Sequence, residues 1–278
     1  MINDFIIKTI EFLKRSDVRF HLPEHREVEL SNNTQTVNIT CEESFNKNRL
    51  NDNLIIHSII FFSLFDAYID SENQQYEGLS FRRKYDKLPC TTDYDIILKE
   101  LYRILKVLRN TTVHSKSHIS FNGKEILINY KFKGTNFKLL ISKLGLELIY
   151  SAILLVIDNR YLELYKAGLL REYYNEILLN IKDLKDDIGH NNFKYISDGI
   201  RLKRHVRYRV INPDFSIDYD KEILYINKYK YECSSYSADY LIEYNEGKYI
   251  IPEEILNDNR VLIKEISGYK IIDIYNMQ

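Results

Sequence analysis

The segment DYDIILKELYRILKVLRNTTVH, residues 93–114, contains the most regular hydrophobic pattern of the chain. Its apolar side chains recur at intervals of three and four residues, the spacing of one buried stripe on an α-helix. The members of this stripe are Tyr94, Ile97, Leu98, Leu101, Leu105 and Leu108. Thr91 or Thr92 followed by Asp93 is typical of a helix start. The pattern therefore predicts a helix over about 93–114.

More helices are predicted on both sides of this segment. Residues 51–70, NDNLIIHSIIFFSLFDAYID, are apolar on nearly every face, as in a helix buried among others. Two further helical patterns cover roughly 138–159 and 161–186. Before them, Asn122-Gly123 and the alternating apolar residues that follow predict a β-hairpin over about 117–137. The middle of the chain, 51–190, is thus predicted to be a helical bundle with a hairpin insertion.

The two ends of the chain are predicted to be richer in strands. Residues 1–50 are interpreted as an N-terminal extension with a short helix over 2–15 and short strands. Residues 191–278 contain alternating stretches separated by turns, such as the turn at Asn245–Gly247. The predicted fold class is therefore α+β, with a small β-rich accessory domain after the helices.

Composition limits the class of protein. The 278 residues include 39 Lys+Arg and 40 Asp+Glu, and 45% are hydrophobic, which is typical of a globular protein and not of a disordered one. Cys41, Cys90 and Cys233 are too widely separated to predict a disulfide framework. The N-terminus does not resemble a signal peptide, and the longest apolar stretches are too short and too polar to span a bilayer. We expect a cytoplasmic protein that does not associate with membranes.

The segment Arg109-Asn110-Thr111-Thr112-Val113-His114 closes the predicted helix over 93–114. It resembles the signature of the HEPN family (higher eukaryotes and prokaryotes nucleotide-binding domains), in which a polar residue follows an Arg and a His stands four to six residues after that Arg. The resemblance covers roughly residues 50–186 and implies a HEPN-like helical bundle. It also implies a metal-independent endoribonuclease of toxin or antiviral-defence type, without a cofactor. Arg109, Asn110 and His114 would be its catalytic residues, in a site assembled across a homodimer.

The residue types suit this chemistry. Cleavage of RNA by its own 2′-hydroxyl needs an acid or base near that oxygen and a cation for the extra charge on phosphorus, roles that suit His and Arg. Asn110 and His114 are one turn apart and project away from the apolar stripe. Ile96, Arg103 and Val107 share this outward face, which predicts a surface for a homodimer. The alternative is a helix end, because Arg and His interact favourably with the dipole there and Asn ends helices.

Other matches and metal pairs are weaker. The spacings Arg15–His21 and Arg19–His25 satisfy the bare pattern, but neither Arg is followed by Asn. His114 and His118 are four residues apart without a third ligand nearby, so no metal site is predicted. His57 and Asp66 lie on opposite sides of their helix, which favours hydrogen bonding in the core for each, although Asp66 could help to orient Arg109.

A second candidate site is the run RLKRHVRYRV, residues 201–210. If it is extended, Arg201, Lys203, Arg207 and Arg209 share one face, opposite Leu202 and Val206, and such a cationic face suits RNA phosphates. A structural role has equal support: the run is then either an edge strand protected by charge or a set of ion pairs with Asp214, Asp218 and Asp220. The basic triplet Arg82–Lys84 is interpreted as a solvated loop.

The sequence thus predicts a ribonuclease whose partner is RNA. The alternative is a catalytically inactive HEPN-like dimer that binds RNA or protein. The resemblance also implies an antitoxin or another defence-system protein as a partner. Lys116 stands where the branch silenced by a nucleotidyltransferase has Tyr, so modification of a tyrosine at that position is not expected.

Overall fold

The computed structural model of the protein describes residues 2–16, 18–22, 25–31, 34–39, 54–113, 118–158, 162–204, 206–211, 213–227 and 236–271. The chain divides into two compact units. Unit 1 comprises Met1–His21, Glu43–Ile157 and Tyr173–Asp198, and unit 2 comprises Leu22–Glu42, Asp158–Glu172 and Gly199–Gln278. The boundary predicted near residue 190 therefore falls inside unit 1, and part of the predicted N-terminal extension belongs to unit 2.

The described residues form α-helices, β-strands and short 3₁₀ helices. The α-helices are α1 (Ile2–Lys14), α2 (Leu54–Glu72), α3 (Phe81–Lys87), α4 (Asp93–Val113), α5 (Lys143–Ile157), α6 (Glu163–Asn180) and α7 (Ile263–Ile266). The strands are β1 (His25–Ser31), β2 (Thr34–Ile39), β3 (His118–Phe121), β4 (Glu125–Phe132), β5 (Thr135–Ser142), β6 (Ile181–Lys185), β7 (Arg207–Ile211), β8 (Phe215–Asp218), β9 (Ile223–Ile226), β10 (Ser237–Tyr244), β11 (Gly247–Pro252), β12 (Arg260–Leu262) and β13 (Lys270–Ile271). Short 3₁₀ helices cover Gln74–Tyr76, Glu253–Ile255 and Ser267–Tyr269.

Unit 1 combines helices with an antiparallel sheet. The sheet has the strand order β3-β4-β5-β6. Helix α4 packs against α2 and α5 and also against β4 and β5 of the sheet. The side chains of Leu101 through Leu108 are all buried, so this helix lies in the centre of the core of unit 1.

Unit 2 is built on two sheets. The larger has the order β13-β11-β10-β7-β1-β2, and the smaller has the order β12-β9-β8. Strand β7 is parallel to both of its neighbours, β10 and β1. The core cluster of this unit includes Val210, Leu224, Tyr240, Ile242 and Ile251.

The predicted architecture, a HEPN-like helical bundle with a hairpin insertion followed by a small β-rich C-terminal domain, is wrong. The described residues form an α+β fold with three sheets, and the hairpin is part of a four-stranded sheet because β5 and β6 extend it. Strand β5 runs straight into α5, and β6 directly follows α6, with no Gly or Pro at either junction. The helical patterns over 138–159 and 161–186 therefore include two strands whose formation depends on pairing with each other.

Several predicted elements do form. Helix α4 begins at Asp93, where the Thr92 hydroxyl accepts a hydrogen bond from the Asp95 backbone N–H at 3.1 Å and Asp95 accepts one from the Thr92 N–H at 3.0 Å. In the predicted hairpin, Gly123 adopts a positive φ of 87°, the conformation that glycine favours. The Asn122 side chain accepts hydrogen bonds from the backbone of Lys124 and Glu125. No helix in the described part of the chain is long and apolar enough to cross a membrane.

Candidate active site

Helix α4 is covered on the face that the sequence analysis expected to be open. Arg103 and Val107 are fully buried. The side chain of Arg103 donates from Nε and Nη2 to Asp186 at 2.7 and 2.9 Å, and from Nη1 to the Asn192 carbonyl at 2.6 Å. The prediction that Arg103 and Val107 lie on an open homodimer surface is therefore wrong, because both are buried and the segment after β6 of the same chain pairs with Arg103; Ile96, the third residue predicted for that surface, is half-buried.

Charge pairing explains why this face can be buried. The bidentate contact with Arg103 holds the pKa of Asp186 below its ordinary value, although burial alone would raise it. One turn further on, Lys106 donates to Asp187 at 2.7 Å. The guanidinium of Arg103 also lies over the ring of Phe193, 5.7 Å from the ring centroid. Both of these buried cations of α4 thus have a carboxylate partner on the segment that covers them.

Glu100 is the exception in this network. Its side chain is fully buried, Oε2 accepts from Arg103 Nη1 at 3.1 Å, and Oε1 has no hydrogen-bond partner among the described residues. Burial raises the pKa of Glu100, although Arg103 opposes the rise. A group with a raised pKa in the native state binds more protons there than in the unfolded state. Its contribution to stability is therefore largest at low pH and falls as the pH rises above about 4.3, the ordinary pKa of Glu.

We expect Glu100→Gln to remove this pH-dependent loss of stability, because Gln has no charge to desolvate. Measured by urea denaturation, the free energy of unfolding of the variant should equal that of the wild type near about pH 4, where Glu is largely protonated. At neutral pH the variant should be as stable as the wild type or more stable. Exposed Glu77 provides a control, and Glu77→Gln should change neither value. A less stable Glu100→Gln variant at neutral pH would show that attraction to Arg103 outweighs the burial of the charge.

The predicted motif begins at the last turns of α4. Arg109 and Asn110 are both half-buried, and Arg109 Nη1 donates to Asn110 Oδ1 at 3.2 Å. The guanidinium carbon of Arg109 lies 5.5 Å from the ring centroid of Phe62 on α2. Asn110 interacts with the phenol of Tyr130 on β4, whose pKa is raised by burial. His114 lies outside the described residues, so the structure brings together two of the three predicted catalytic residues.

A polar cluster lies next to Arg109 along the contact between α2 and α4. Tyr102 stacks on Phe62 with the ring centroids 5.8 Å apart, and its hydroxyl donates to Asp66. Lys84 of α3 donates to the same carboxylate at 2.8 Å and contacts Asp70 at 2.7 Å. Burial and the Asp66 charge raise the pKa of Tyr102. The Asp66 carboxylate therefore accepts hydrogen bonds from Tyr102 and Lys84 within unit 1. The stacked rings of Tyr102 and Phe62 link it to Arg109, whose guanidinium contacts Phe62.

The sequence pattern gave a wrong prediction for Lys84 and a correct one for the burial of His57. The solvated loop predicted for Arg82, Arg83 and Lys84 is wrong, because Lys84 is buried on helix α3 while the two arginines are exposed. His57 is buried edge-on against Tyr150, with ring centroids 6.0 Å apart, which confirms its burial in the core, whereas the hydrogen bond predicted for it stays a prediction. The spacing of Asp66 and Asp70, one helical turn apart, is the signal that could have identified a buried cation between them.

The predicted cationic stripe of unit 2 does not form an exposed face. Arg207 is fully buried, donating to Asp239 at 2.6 Å and to Glu254 at 2.7 Å. Arg209 is half-buried, and Arg201 and Lys203 are exposed but precede strand β7. Arg207 therefore cannot contact RNA phosphates in this fold. The two alternatives are also wrong for Arg207, since β7 is an interior strand and its acids are not Asp214, Asp218 and Asp220.

Neither a cluster of metal-ligating side chains among the described residues nor a comparison with known proteins indicates the chemistry further. Within the ranges that the structure describes, no group of three or more His, Cys, Asp or Glu side chains is arranged to hold a metal ion. No protein-family model matches the chain, no curated protein matches it, and no solved structure matches its fold.

Proposed function

We propose that this protein is a metal-independent endoribonuclease of toxin or antiviral-defence type, which cleaves RNA by attack of a ribose 2′-hydroxyl on the adjacent phosphorus. Arg109, Asn110 and His114 are its proposed catalytic residues. The observation that carries the proposal is the placement of Arg109. This residue is half-buried near the end of α4, and its guanidinium is oriented by Asn110 and by the ring of Phe62.

This placement suits a group that stabilises charge. A guanidinium held by neighbours before the substrate arrives can donate to phosphate oxygens without reorganising during the reaction. Arg103 is fully buried between Asp186 and Glu100, whereas Arg109 keeps some exposure to solvent and contacts an amide oxygen and an aromatic ring. His114 follows Asn110 by four residues and supplies the acid and base functions in the proposal.

The test of the function is the chemistry of the product ends. Purified protein should cleave single-stranded RNA in the presence of EDTA and leave 2′,3′-cyclic phosphate or 3′-phosphate and 5′-hydroxyl ends. RNA in which every ribose is 2′-O-methylated should stay intact, because it lacks the attacking hydroxyl. Binding without cleavage would favour the alternative, a catalytically inactive dimer that binds RNA or protein. Cleavage of the methylated RNA would reject the proposed mechanism.

The partners belong to the same proposal. We propose RNA as the substrate, a homodimer as the working form and the cytoplasm as the compartment of action, with an antitoxin or another defence-system protein as a further partner. The homodimer cannot form through Val107, which is fully buried.

A further inference from the structure

The sheet of unit 1 has one apolar face and one lysine-rich face. On the apolar face, buried side chains of β4 and β5 pack towards the helices: Ile126, Ile128, Tyr130, Phe137, Leu139 and Ile141. Because side chains alternate along a strand, the residues between them point to the opposite face. That face carries Lys131, Lys138 and Lys185, and Lys182, which lies at the register shift of β6, reaches it through its contact with Glu125; we refer to it as the lysine face.

Strand register concentrates the positive charge of the lysine face. Lys138 on β5 is directly opposite Lys185 on β6, and on its other side Lys138 is opposite Asn129 on β4. Lys131, two residues after Asn129, is diagonal to Lys138 across β4 and β5. Like charges directly opposite each other destabilise a sheet. Lys131, Lys138 and Lys185 therefore form a line across three strands that a bound polyanion would stabilise.

The carboxylates of this face are already paired. Glu125 contacts Lys182. Asp183 contacts both Lys138 and His190, in each case at 2.8 Å. Among the described residues, neither Lys131 nor Lys185 forms an ion pair. The lysine face is thus a local basic surface, although the chain as a whole has a formal charge of −1.

The lysine face is connected to the end of α4 by short stretches of chain. Strand β3 begins at His118, four residues after His114, and His118 is exposed and opposite Asn129. Lys131 directly follows Tyr130, the residue that interacts with Asn110. Tyr130 belongs to the apolar face and Lys131 to the lysine face, so an RNA strand on the lysine face would have to pass around the edge strand β3 to reach the end of α4.

We infer that the lysine face is a docking surface for the sugar-phosphate backbone of single-stranded RNA. Contacts of lysines with phosphates give affinity that is independent of sequence and falls with salt. The choice of RNA over other polyanions rests on the proposed ribonuclease function. The surface itself is inferred from the register, the exposure and the charge balance of the sheet.

The test measures how RNA affinity depends on salt. A fluorescent 2′-O-methylated RNA, which the proposed reaction cannot cleave, is titrated with the triple variant Lys131→Gln, Lys138→Gln, Lys185→Gln over a series of NaCl concentrations. Because this variant can no longer pair three lysines with phosphates, the slope of log K against log[NaCl] should become shallower by about 2, since each lysine–phosphate pair on single-stranded nucleic acid contributes about 0.7. The corresponding Lys→Arg triple variant retains the charges and should retain the slope.

Matched controls distinguish binding of RNA at the lysine face from a general effect of positive charge on the protein. Lys8, Lys14 and Lys87 are exposed lysines of unit 1 away from the sheet, and their Gln variants should bind as the wild type does. The single variant Lys131→Gln breaks no ion pair with any described residue and should change the slope by about one third as much as the triple variant. Its result therefore tests the inference even if the triple variant misfolds. Wild-type affinity and slope in the Gln triple variant would overturn the inference, as would binding of single-stranded DNA but not RNA. If the slope changes as expected but the wild type never cleaves unmodified RNA, the docking surface stands and the proposed function fails.

Discussion

Arg109→Ala should lower kcat/KM for RNA cleavage by about 10² to 10³, the usual effect of removing one preorganised donor to a developing charge. His114→Ala should lower it by about 10² to 10⁴, because the proposed acid and base would be removed. The chain should stay folded in both variants. Arg109 lies near the end of its helix, and its cation–π interaction with Phe62 is worth about 0.5–2 kcal/mol. The measurement is initial cleavage rate against RNA concentration, with far-UV circular dichroism of each variant.

Exposed Arg83 on α3 is the matched control, because it is an arginine of the same unit outside the proposed site. Arg83→Ala should cleave at the wild-type rate. Arg109→Lys keeps the charge but loses the planar donor set, so its activity should lie between those of the wild type and Arg109→Ala. Unchanged cleavage by Arg109→Ala would show that the motif is only the end of a helix, as the alternative interpretation of its sequence holds.

Local rules predicted the elements that depend on local chemistry. The apolar stripe containing Leu101, Leu105 and Leu108 correctly predicts helix α4, and the Thr cap correctly predicts its start. Both signals depend only on residues of the helix and its first turn. Asn122-Gly123 likewise predicts the hairpin, since its turn requires a positive φ. The positions of Arg109 and Asn110 in the candidate site follow from this helix, because both residues lie in its last turns.

The wrong predictions concern side chains that a distant part of the chain covers. A helical projection correctly places Arg103 and Val107 opposite the apolar stripe, but it cannot show that Asp186, 83 residues later, pairs with Arg103. The same holds for Arg207. The alternation of residues 201–210 predicts that its side chain lies on a solvent-exposed face, but the side chain is buried and pairs with Asp239 and Glu254 of unit 2. Charged residues are buried when a partner is supplied from elsewhere in the chain, and sequence periodicity carries no information about that partner.

Arg103→Met should lower the free energy of unfolding by about 3–5 kcal/mol, because removing one partner of a buried ion pair leaves the other charge buried without compensation. Here two carboxylates would be affected. Asp186 would be deprived of its bidentate partner and Glu100 of its interaction at 3.1 Å, and all three side chains are fully shielded from solvent. Met fills much of the volume of Arg, so the decrease reports the charge network and not an empty cavity. Urea denaturation of the wild type and variant measures the difference.

The exposed pair of Arg82 and Asp86 on α3 provides the comparison, because it shows how much stability an arginine–aspartate pair contributes without burial. Their contact, at 3.0 Å, resembles that of Arg103 and Asp186 in length, but the Arg82 side chain is 53% exposed. Arg82→Met should therefore cost no more than about 0.5 kcal/mol. If Asp186 is the group left uncompensated, Arg103→Met should recover part of its stability at pH values below about 3.9, where an ordinary Asp is protonated. Equal small decreases in Arg103→Met and Arg82→Met would instead mean that Arg103 faces solvent, which would reopen this side of α4 as a surface for a second copy of the chain.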